Sequence, residues 1–81
     1  MARIHLFTRA DCCLCDDAKE VLERVRRDHP FELTVVDVDS DREIAGMYGQ
    51  LIPVITIDGE KAFHFYVNEK ALRRRLSEIS T

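Results

Sequence analysis

Three cysteines fall within four positions, Cys12-Cys13-Leu14-Cys15, and the chain has no others. A thiolate is both a nucleophile toward disulfides and a ligand for soft metals, so a cluster of this kind points to redox or metal chemistry. Cys12 and Cys15 stand three positions apart. Across one helical turn that spacing lets the second sulfur attack a mixed disulfide formed at the first. Cys12 is therefore assigned as nucleophile and Cys15 as resolving thiol. A cysteine at a helix N-terminus meets unpaired backbone N–H groups and the favourable end of the helix dipole, so the Cys12 pKa is expected to be depressed. Arg9 would add positive potential there, whereas Asp11, Asp16 and Asp17 oppose ionisation. Cys13 is adjacent to Cys12, and Cα atoms about 3.8 Å apart are too close for an unstrained disulfide. It reads as an exposed bystander, with thiol shuffling or soft-metal binding as the alternative.

Two plainer readings compete. Cysteine is a good small apolar filler, which suits Cys15 on an inner helix face but does not explain a C-x-x-C where a strand runs into a helix. A structural zinc site needs four ligands, usually in two pairs. His5, His29 and His64 are dispersed, without an H-x3–5-H pair, so no dedicated metal site is expected.

The surrounding pattern supplies the elements that would hold the cysteines. Arg3 to Thr8 reads as a strand with Ile4, Leu6 and Thr8 on one side and His5 and Phe7 on the other. A helix follows from about Cys12, with Leu14, Cys15, Ala18, Val21, Leu22 and Val25 along one face. Its acids lie early and Arg24, Arg26 and Arg27 late, matching the helix dipole, and His29-Pro30 ends it. Phe31 to Val38 reads as a second strand. Ser40-Asp41-Arg42-Glu43 has the form of a capping box for a short helix carrying Ile44, Met47, Tyr48 and Leu51, with Gly49 as its C′ residue. Pro53 to Ile57 is a third strand, Asp58-Gly59 a hairpin turn and Ala62 to Tyr66 a fourth strand. Asn68 would cap a last helix whose inward face is Ala71, Leu72, Leu76 and Ile79. The chain is thus α/β in the order β-α-β-α-β-β-α. A parallel βαβ unit and an antiparallel hairpin fit one four-stranded mixed sheet covered by helices. Such a sheet puts the cysteine turn at the carboxyl end of a strand, where ligands of α/β sheets bind.

Length and composition set the bounds. Eighty-one residues without repeat, linker or composition break suggest a single domain over 1–81, and 46% hydrophobic residues exclude a disordered chain. The longest apolar stretches fall well short of the roughly 20 residues of a membrane helix. The opening MARIHLFTRA lacks the apolar run of roughly 7–15 residues of a signal peptide, so a cytoplasmic, reducing location is expected. A net charge of −3 argues against nucleic-acid or anionic-membrane partners, and a monomer is expected. Asp37-x-Asp39-x-Asp41 begins like a calcium loop but has Arg42 where glycine is needed and Tyr48 where glutamate is needed. Arg73-Arg74-Arg75 fans over about 200° of a helix and reads as a solvated face, with docking of an acidic partner as the alternative. His64 reads as a packed sheet residue, and Tyr66 stands near the groove without an assigned role.

The stretch Thr8-Arg9-Ala10-Asp11-Cys12-Cys13-Leu14-Cys15-Asp16-Asp17-Ala18 after a first strand, with Ile52-Pro53-Val54 before a later strand and Asp58-Gly59 after it, resembles the glutaredoxin branch of the thioredoxin superfamily. The small bacterial glutaredoxin-like domains, which often carry a C-x-L-C turn, are the nearest in look. The resemblance spans essentially the whole chain. It implies a thioredoxin-like fold with sheet order 2-1-3-4. The activity it implies is thiol–disulfide exchange and electron transport through Cys12 and Cys15. Substrates would be protein or small disulfides, the reductant glutathione or a thioredoxin-reductase-like enzyme, with no tightly bound cofactor. It also implies that Pro53 is a cis-proline beside the reactive cysteine, where pattern alone would favour trans. The main chain of Ile52 would then pair with a bound substrate, and Arg9, Cys13 and Leu14 would flank it. Two departures stand out. The Gly-Gly and acidic residue usual before the last helix of glutathione-binding members are replaced by Phe65-Tyr66-Val67-Asn68-Glu69, and the usual Pro-Tyr between the cysteines by Cys13-Leu14. The alternative is a redox-inert or metal-carrying binding module of the same fold.

Overall fold

The computed structural model describes residues 2–10 and 13–79, without the side chains of Cys13 and Ile79. The order is β1 (Ala2–Thr8), α1 (Cys13–Asp28), β2 (Phe31–Asp37), α2 (Arg42–Tyr48), β3 (Val54–Ile57), β4 (Glu60–His64) and α3 (Glu69–Ile79), with a 3-10 turn over Val38–Ser40. The sheet runs β2-β1-β3-β4. β1 pairs β2 in parallel from Ala2 opposite Phe31 to Thr8 opposite Asp37, while β1–β3 and β3–β4 are antiparallel. The α/β class and the strand order are those expected.

One face of the sheet makes the core. Ala2, Ile4, Leu6, Phe31, Ile55 and Ile57 meet Ala18, Leu22 and Val25 of α1 and Leu72 and Leu76 of α3, all buried. All four residues of β3, Val54 to Ile57, are buried because the strand lies inside the sheet between β1 and β4, and the polar Thr56 is hidden with its apolar neighbours. The opposite face is thinly covered: α2 has no buried residue, and Phe7 packs its ring on Tyr48 at 4.7 Å.

Turn chemistry holds the ends in place. Asp58 and Gly59 both have positive φ, 51° and 90°, the type I′ geometry that Asp-Gly favours and that matches strand twist. The Asp58 carboxylate accepts a hydrogen bond from the Arg3 amide at 2.9 Å, tying the hairpin to β1. Asn68 caps α3, its side-chain oxygen accepting from the Ala71 amide at 3.0 Å.

Four local expectations change. Asp41, not Ser40, caps α2, because Ser40 is still in the 3-10 turn and donates its hydroxyl to the Asp37 carbonyl. Gly49 is right-handed at φ −56°, so its need for glycine comes from close approach: a Cβ there would collide with the Ala45 carbonyl. The fourth strand begins at Glu60 and ends at His64, since a bulge between Ile55 and Thr56 shifts its register and Phe65 breaks out of it. His64 is exposed instead of packed and sits edge-on to Phe65 at 5.0 Å.

Candidate functional site

β1 delivers the chain at its carboxyl end to the cysteine turn, and α1 begins at Cys13. Cys12 and Asp11 lie outside the described residues, as does the side chain of Cys13. Cys15 is in the first turn of α1 and is 4% exposed, turned inward on the same helix face as Ala18 and Leu22. Leu14 is half-buried and faces the groove beside α1. Ile52 is half-buried and Pro53 buried, and the peptide bond between them is cis. Arg9 turns toward the end of β2, where its Nε contacts both carboxylate oxygens of Asp39 at 3.1 and 3.2 Å. Its charge is therefore matched by a carboxylate partner.

The described residues hold no group of three or more His, Cys, Asp or Glu side chains placed to share a metal. The aspartates of the 37–41 stretch have other work. Asp37 caps the 3-10 turn, Asp39 pairs with Arg9 and Asp41 caps α2.

The connection from β4 to α3 forms the far wall of the site. Phe65 has φ +64°, a left-handed conformation costing a bulky residue of order 1 kcal/mol or more. The Tyr66 amide donates to the His64 carbonyl at 2.7 Å, closing a three-residue turn around Phe65. The Phe65 amide is shared between the carbonyls of Leu51 at 3.3 Å and Pro53 at 3.0 Å, so this turn is fastened to the Ile52-Pro53 segment. With its backbone held there, the chain aims two rings outward: Phe65 is 39% and Tyr66 71% exposed. Together with Val67 they face Leu14, Asp17, Ala18 and Val21 of α1 across a cleft of about 80 Å3. The sequence pattern places Phe65 and Tyr66 at the end of the fourth strand. A left-handed phenylalanine has no local signature, and only the missing glycine pair hinted that this turn differs.

Contacts advance in step along α1 and α3. Past the cleft, Arg24 reaches Glu69 at 2.8 Å, and Arg73 reaches both Asp28 at 2.6 Å and Glu69 at 3.2 Å. Arg73 thus bridges the two helices, a correction to the solvated face expected for the arginine triplet. Its hydrogen bond and charge hold the Asp28 carboxyl below the usual range. At Glu69 burial pushes the carboxyl up, but hydrogen bonds from Arg73 and Arg24 together with their charges outweigh it, and the net direction is down.

The family description of the Glutaredoxin-like domain (DUF836) matches residues 3–77. The chain belongs to this family. A relative, an uncharacterized protein of Mycobacterium tuberculosis, is 28% identical over 76 residues, covering 88% of this chain and 78% of its own. Among solved structures, a structural-genomics target protein from X. campestris superposes with a TM-score of 0.77 at 28% identity, covering 93% of this chain and 96% of the other. A thioredoxin variant from Halobacterium salinarum reaches 0.73 at 21% identity, over 99% and 75% of the two chains, a likeness of fold. The glutaredoxin-like fold supports a role of the thiol-redox type. No helix among the described residues is long and apolar enough to cross a membrane.

Proposed function

We propose that this glutaredoxin-like domain is a dithiol–disulfide oxidoreductase acting through Cys12 and Cys15. The Cys12 thiolate attacks one sulfur of a substrate disulfide, the S–S bond breaks, and the displaced sulfur leaves as a thiolate that takes up a proton. Cys15, as thiolate, then attacks the Cys12 sulfur of the mixed disulfide. That releases the second substrate thiol and leaves Cys12 and Cys15 joined. Two electrons have passed to the substrate, and a thiol donor (glutathione or an enzyme of the thioredoxin-reductase kind) restores the dithiol. Protein and small disulfides are the substrate class, with Leu14, Ile52 and Pro53 flanking the reacting sulfurs and Cys13 and Arg9 at the edge of the turn.

The observation that carries this reading is the buried Cys15 in the first turn of α1, at the carboxyl end of β1, in a chain of this family. A resolving thiol shielded from solvent is reached by a neighbouring sulfur in its own turn far more readily than by an outside disulfide. A depressed Cys12 pKa belongs to the same reading.

Alkylation of each cysteine across a pH series in the reduced protein is the test. Cys12 should react at a pH where ordinary thiols are still protonated. Cys12→Ser should abolish exchange, and Cys15→Ser should accumulate a mixed disulfide visible by mass spectrometry. Equal activity in the two variants would eliminate the assignment. Three ordinary thiols, or a metal purified in stoichiometric amount, would turn the reading toward a binding module.

A further inference from the structure

The cleft beside the cysteine turn has two chemically different walls. On one side stand Phe65, Tyr66 and Val67, with the Phe65 ring partly and the Tyr66 ring largely open to water. On the other, Leu14 and Val21 of α1 flank the carboxylate of Asp17, which has no ion pair among the described residues. Isolated exposed aromatics are ordinary, but two consecutive rings held outward by a left-handed backbone are not. Glycine would adopt this turn without strain. The turn therefore keeps a ring where backbone geometry alone would favour none.

We propose that this cleft is a specificity subsite for a polypeptide disulfide, taking a leucine-sized apolar side chain next to the substrate half-cystine and a lysine or arginine beside it. The inference rests on the oxidoreductase reading and narrows its substrate class. Size argues for the apolar residue. A cavity of about 150 Å3 accepts benzene, so one of about 80 Å3 suits a branched aliphatic group. Charge argues for the basic neighbour. Asp17 lies at the cleft itself, and none of the other residues lining the cleft carries a charge to offset it. An anionic thiol compound such as glutathione gains nothing from either wall.

The experiment varies the peptide first and the protein second. The redox-dead Cys12→Ser/Cys15→Ser protein is titrated with fluorescent peptides containing S-methylcysteine flanked by Leu-Lys, Leu-Glu or Ser-Ser, and binding is read by anisotropy. Leu-Lys should bind at least tenfold tighter than Ser-Ser and clearly tighter than Leu-Glu. Asp17→Lys in the same protein should reverse the Lys-over-Glu order, and Tyr66→Ser should weaken the Leu preference several-fold. Equal affinities for all three peptides, or an order that Asp17→Lys leaves intact, overturn the subsite. Reduction of bis(2-hydroxyethyl) disulfide by the unmodified protein separates the two claims, since that probe has no side chain or charge to seat. Turnover of it without any flank preference discards the subsite and keeps the oxidoreductase. Flank preference without turnover keeps the subsite as a peptide site and discards the chemistry.

Discussion

The seam between α1 and the chain from Phe65 through α3 is built in opposite ways at its two ends. Toward the C-terminus of α1, Arg24 and Asp28 pair with Glu69 and Arg73 of α3 over a floor of Leu22, Val25, Leu72 and Leu76. Toward the N-terminus of α1, beside the cysteine turn, the helix faces the β4–α3 connection, Phe65 to Val67, across an open cleft. Its carboxylate has no partner among the described residues, and its rings face water. A seam built only for stability would be closed throughout. The contrast shows where the fold gains its rigidity and where it leaves surface for a ligand, with the rigid end holding the open end in shape.

The sharpest way to break this contrast is to cut into each end. Leu22→Ala or Leu72→Ala, at the closed end, should cost about 2–5 kcal/mol in urea unfolding. Val21→Ala, at the half-buried cleft wall, should cost clearly less; equal losses would mean that both ends are core. A second cut compares two truncations of one ring. Phe65→Ala and Phe65→Gly delete the same contacts, yet the glycine variant should be more stable by about 1 kcal/mol, because only glycine tolerates φ +64° freely. Indistinguishable midpoints would show that the turn relaxes once the ring is gone.

Acid probes the ionic end. Asp28 and Glu69 have carboxyls held below their ordinary values, so their stabilisation is present above the unfolded-state range and is lost as pH falls through the lowered folded values. Thermal midpoints should therefore drop below roughly pH 4, and Arg73→Gln should flatten part of that drop. An unchanged acid limb in the variant would remove the bridge from the account. Smallest of all, molar salt should lower the midpoint slightly, since these pairs lie at the surface and are screened.

Much of this was legible in the residues. Helical spacing located Ala18, Leu22 and Val25, the stretch from Pro53 to Ile57 marked β3, and Asp-Gly named the hairpin turn, because each rests on a short-range rule. The cap of α2 lies one residue beyond the position the capping-box pattern points to, since Ser40 and Asp41 can both cap and the choice depends on where the preceding 3-10 turn stops. The role of Arg73 escaped because a triplet of arginines looks alike in sequence, whereas only one of the three faces Asp28 and Glu69. The cleft was invisible for a related reason: its two walls, at Leu14–Val21 and Phe65–Val67, are far apart along the chain.

Local chemistry alone thus determined that this chain forms alternating strands and helices, and that its cysteines gather where a strand meets a helix. Periodicity, turn preference and sulfur spacing act over a few neighbouring residues. Tertiary structure alone decided that Arg9 is matched by Asp39, that Arg73 joins two helices, and that Phe65 turns left-handed against the Leu51–Pro53 segment. Those outcomes depend on groups brought together from distant positions, and no local preference reaches that far.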